Sequence, residues 1–80
     1  MIVIYDVEET IITEDGESAR NELIRVYGEK LGKQAYEVVK DSKPGMHFRA
    51  NGGPLVSVVS EEDAEWIWEK EREIGMIKEE

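Results

Sequence analysis

Residues 46–59 read MHFRANGGPLVSVV, two strand-forming runs joined by Asn51-Gly52-Gly53-Pro54. The first run alternates, with Met46, Phe48 and Ala50 on one face and His47 and Arg49 on the other. Leu55 to Val59 forms the return. Asn-Gly between β-like runs is a hairpin signal, and a connection this short cannot hold the crossover that parallel neighbours require. A mainly antiparallel sheet is therefore expected. Immediately downstream, Ser60 offers a capping hydroxyl and Glu61, Glu62 and Asp63 supply the negative charge that a helix N-terminus favours. A helix is expected from about Glu61 through Glu73 or beyond, with Gly75 to Glu80 fraying.

Working back to the start, MIVIYDV over residues 1–7 is almost continuously apolar, which predicts a buried, central strand over Ile2 to Tyr5 at least. Thr10 to Thr13 (TIIT) is a second short β-like run that either pairs back as a hairpin or prolongs the first. Glu14-Asp15-Gly16 is turn chemistry, with Asp15 or Ser18 available as a helix N-cap. From near Ser18, Ala19, Leu23, Tyr27 and Leu31 recur every fourth residue and predict an amphipathic helix. Gly28 and Gly32 interrupt it, and the break is expected near Gly32. A second helix follows over residues 33–42, with Leu31, Ala35 and Val38 continuing the apolar spacing, although Val38 and Val39 would also suit a strand. Asp41 to Gly45 ends it, because Pro44 pushes its predecessor out of helical geometry. The reading is α+β: one domain over residues 1–80, a small mainly antiparallel sheet of the N-terminal strand and the later hairpin, packed by two or three helices on one face.

Eighty residues and 9.2 kDa leave room for one thin core. The absence of Cys rules out disulfides, thiolate metal sites and cysteine nucleophiles. Met1 leads into a strand-like run instead of a basic stretch and an apolar segment, so no export signal or membrane span is expected and the chain reads as cytoplasmic. The net charge of −9 is unevenly placed. Residues 1–22 carry seven acids against Arg20, residues 60–80 carry nine against three bases, and the middle is basic. Two acidic ends repel a phosphate backbone, so direct nucleic-acid binding is not expected. In size and charge only, the chain is similar to phage and mobile-element proteins that bind and disable host factors.

Two surfaces stand out as functional candidates. At about 100° per residue from Ala64, the residues Ile67, Trp68 and Ile74 fall on Ala64's side of the last helix, whereas Trp66 falls opposite and shares a stripe with Lys70, Glu73 and Ile77. An outward indole combines large apolar area with a polar handle, which makes that stripe a candidate contact for another protein or a second copy. The other candidate is the hairpin, where His47, Arg49, Asn51, Gly52 and Gly53 combine a cation, an imidazole and glycine-exposed N–H groups suited to a small anionic, nucleotide-like ligand, with Lys40 and Lys43 available to add charge. Neither a P-loop nor a dinucleotide fingerprint is present. Glu61, Glu65, Glu69 and Glu73 recur every fourth residue, a spacing that also suits an acidic mimic of nucleic acid. Catalytic motifs are lacking: the carboxylate clusters miss calcium-loop spacing, and no Ser lies in a nucleophile context. The expected function is a non-catalytic interaction or inhibitor domain without metal or cofactor.

Overall fold

The computed structural model describes residues 1–49 and 52–77. Its elements are β1 (Ile2–Tyr5), β2 (Thr10–Thr13), α1 (Glu17–Tyr27), α2 (Glu29–Val39), β3 (His47–Arg49), β4 (Leu55–Val58) and α3 (Glu61–Glu73). The chain is a small α+β domain, as its sequence implies. Four strands form one sheet in the order β2-β1-β4-β3, and every pairing is antiparallel. TIIT pairs back on β1, with Ile4 opposite Ile11.

The helices do not share a face of the sheet, which corrects the expectation of one helical layer. Strand alternation sends Ile2 and Ile4 of β1, with Val56 and Val58 of β4, to one side, where they bury Ala19 and Leu23 of α1 and Ala35 and Val39 of α2. Val3 points the other way and packs with Val59 and with Ala64 of α3, ringed by Met1, Tyr5, Ile12 and Ile67. A central strand covered on both faces has no polar side to show, which is why IVIY reads as an unbroken apolar run.

Between the first two helices, chain reversal occurs at Gly28, whose φ of 90° lies in the left-handed region, and not at Gly32. Gly32 instead sits buried inside α2 against the backbone of Ile24 and Leu23, where a side chain would collide. The buried stripe of α2 is accordingly Gly32, Ala35 and Val39, and Val38 is 53% exposed. The N-cap of α1 is Gly16, with no side-chain cap, so neither Asp15 nor Ser18 plays that part. Ser60 does cap α3, its Oγ accepting from the Asp63 N–H at 3.2 Å. Beyond α3, the expected fraying is not seen over Gly75 to Ile77, and residues 78–80 lie outside the described residues. Gly75 turns it with φ 80°, the Met76 N–H donates to the Glu71 carbonyl at 2.9 Å, and the Met76 carbonyl accepts from Thr10 N–H at 2.7 Å. Through Ile77 the segment is therefore docked against the start of β2.

Candidate functional site

Helix α3 sits on the sheet through Ala64, Ile67 and Glu71, and its remaining circumference is exposed. Trp66, opposite that contact, is 61% exposed. The cation four residues on, Lys70, places its Nζ 5.9 Å from the Trp66 ring centroid. Glu73 is exposed on the same side. Ile77 leaves the expected stripe: the helix ends at Glu73 and Gly75 redirects the chain, so Ile77 lies beside Trp68, Thr10 and Ile12 at the β2 edge.

Trp68 corrects a second expectation. The contact of α3 with the sheet is centred between Ala64, Ile67 and Glu71, which leaves Trp68 on the flank of the helix, 39% exposed. Its ring is covered on one side by the Arg72 guanidinium, whose carbon is 4.7 Å from the centroid. Two residues apart on a helix, the indoles project about 160° from one another. Trp68 leans over the edge of the sheet and lines two grooves there. One, of about 390 Å3, is bounded by Met1, Ile12, Glu14, Glu61, Ala64, Glu65 and Trp68. The other, about 320 Å3, lies between Trp68 and Ile77 on one side and Glu22 and Arg25 of α1 on the other, along residues 9–12. Ile74, also expected on the buried side, is 71% exposed because it caps the helix past the last sheet contact.

Two titratable groups near this edge are tied into the fold. Arg25 bonds Glu22 at 2.7 and 3.0 Å and Glu9 at 3.0 Å, and these partners, Glu22 foremost, hold its guanidinium above its ordinary pKa. Tyr5, on the α3 side of β1, has its phenol pKa raised by burial and then by the nearby charge of Glu71.

The hairpin residues fall on the same face of the sheet as α3, at its opposite edge. His47 pairs with Ser57 and Arg49 with Leu55 across the ladder. The His47 Nδ1 lies 2.6 Å from the hydroxyl of Ser57, a residue only 2% exposed, so part of the imidazole serves the sheet. Arg49 and Gly52 are exposed and Gly53 is half-buried, whereas Asn51 lies outside the described residues. Lys40 is held by Glu37 at 2.5 Å on α2, in the layer across the sheet, so it does not join His47 and Arg49. The Tyr27 hydroxyl donates to the Pro54 carbonyl and fastens the hairpin to α1.

Glu61, Glu65, Glu69 and Glu73 are all exposed along α3. Among the described residues no three His, Asp or Glu side chains converge as metal ligands, and no helix is long and apolar enough to cross a membrane. Comparison with protein-family models, curated proteins and solved structures finds no match to this chain.

Proposed function

We propose that this chain is a non-catalytic protein-interaction domain that presents Trp66, flanked by Lys70 and Glu73, to a partner protein and so inhibits or sequesters it. The observation that carries the reading is an indole 61% exposed on the outer side of α3. Exposing that much apolar area is unfavourable in water, and the same area becomes favourable once a partner covers it. Tryptophan at the centre of a contact is among the residues whose truncation costs most, and the neighbouring charges of Lys70 and Glu73 would fix the partner's orientation. The exposed glutamates along α3 favour a basic partner surface over an acidic one.

The hairpin reading, with a small anionic ligand at His47, Arg49, Gly52 and Gly53, has less support, because His47 is already engaged by Ser57. The test of the leading reading is affinity capture with the wild-type chain and Trp66→Ala side by side, each checked for fold by circular dichroism. A partner retained by the first and lost by the second supports it; equal retention removes its basis.

A further inference from the structure

The Trp68 side of α3 carries an inference separate from Trp66. Among the described residues β2 is an edge strand, with β1 on one side and no strand on the other. In an antiparallel ladder, residues alternate between pairs that exchange backbone bonds and pairs whose N–H and carbonyl groups point away. Asp6 N–H donates to the Glu9 carbonyl at 2.9 Å, extending the ladder by a pair of the first kind. Ile4–Ile11 and Ile2–Thr13 are then of that kind too. Thr10 and Ile12 belong to the second and turn their backbone groups outward. The Thr10 N–H is taken by Met76. Ile12, two residues on, presents its N–H and carbonyl to the same open side, at the floor shared by both grooves beneath Trp68.

Among the described residues, the charge around this edge is answered at the α1 end and, at the other end, only by the Met1 ammonium, which pairs with Asp15 at 3.4 Å. At the α1 end, Arg25 answers Glu9 and Glu22. At the other end Glu14, from the turn after β2, meets Glu61 and Glu65 from the first turns of α3, and among the described residues none of the three enters an ion pair. The two acidic ends of the sequence, separated by a basic middle, are brought together here by the topology. Between those carboxylates lie the apolar surfaces of Ile12, Ala64, Met1 and Trp68.

We infer that the open edge of β2, walled by Trp68 and rimmed by Glu14, Glu61 and Glu65, receives an extended, lysine- or arginine-rich segment of a partner protein as an added strand. Backbone groups at Ile12 supply the pairing. Alternate side chains of such a segment point to opposite faces, so one set rests on Ile12 and Trp68 while a cation at either end reaches the carboxylates. Charge complementarity selects this occupant over an acidic one and over a second copy, whose own β2 edge carries the same excess of carboxylates.

The test is a titration of the full chain, labelled with nitrogen-15, with a heptapeptide alternating Lys and Leu. Expected are saturable shifts at the Ile12 amide and the Trp68 indole N–H, with affinity falling about tenfold as salt rises from about 0.05 to about 0.5 M. Glu61→Gln with Glu65→Gln, both at exposed positions, should weaken binding about fivefold or more, and N-methylation of alternate peptide amides should abolish it. Trp66→Ala should leave the titration unchanged, so this inference and the Trp66 reading fail separately. Silence at Ile12 and Trp68 up to about 2 mM peptide overturns it, as does equal binding of a peptide with Glu in place of Lys. Shifts spread over all exposed carboxylates, full binding by the N-methylated peptide, or a dimer by light scattering whose β2 edge is protected from hydrogen exchange would also overturn it.

Discussion

Replacing Gly32 with alanine tests the helical layer that supports the sheet. A Cβ at that position would stand 2.4 Å from the Ile24 Cα and 2.7 Å from both the Ile24 nitrogen and the Leu23 carbonyl oxygen. All three are backbone atoms, so no rotamer change relieves the contact, and α1 and α2 must separate by close to 1 Å to restore van der Waals distance. Overpacking of this kind costs typically about 1–3 kcal/mol, and the rigidity of these neighbours places Gly32→Ala at the upper end. Alanine is the better helix former by about 1 kcal/mol, which offsets part of that cost. The expected net loss is about 2 kcal/mol, from a total that for a chain of this length is about 4–12 kcal/mol. Thermal unfolding followed by circular dichroism should show a midpoint lower by about 8–16 °C, with an unchanged urea m-value. A midpoint equal to or above wild type would refute the close approach of the two helices, since propensity alone would then decide the outcome.

Removing the Ser60 hydroxyl as Ser60→Ala leaves the Asp63 N–H without its cap and should cost about 1 kcal/mol, read as a midpoint lower by about 4–8 °C. The sign of the Tyr5 shift fixes an alkaline effect: the folded chain holds the phenol proton above the ordinary value near 10.0, so stability is full below that pH and falls as pH rises through the folded pKa. Urea midpoints between about pH 9 and 11.5 should decline less steeply in Tyr5→Phe than in wild type, and parallel slopes would contradict the assignment. Trp66→Ala, at an exposed position, should change folding stability by no more than about 0.5 kcal/mol, so any loss of association belongs to the contact and not to the fold.

Where one local rule acts alone, the sequence reads clearly. Ser60 followed by three acids marks the start of α3, and the fading of its pattern after Glu73 marks the end. The β3–β4 pairing follows from a connection too short for anything else. Gly28 and Gly32 are harder, because both cost a helix the same amount and only the tertiary structure separates a residue needed for positive φ from one needed for close approach. The two-sided packing of β1 was present in its unbroken apolar run, but deciding which helix covers which face requires the strand order. Trp68 and Ile77 depart from the helical-phase reading for two distinct reasons. The buried direction of α3 is centred away from Ala64, which leaves Trp68 on a flank, and extending the phase past Gly75 assigns Ile77 to a helix that has already ended. The junction of Glu14 with Glu61 and Glu65 has no local signal at all, since it arises from β2 and α3 meeting at one edge.

Calorimetric titration of the captured partner into wild type and into Trp66→Ala measures what the outward indole contributes to association. Expected is a loss of about 2 kcal/mol or more, roughly thirtyfold in Kd, with the folded structure intact. An unchanged Kd in a variant that unfolds at the wild-type midpoint would contradict it.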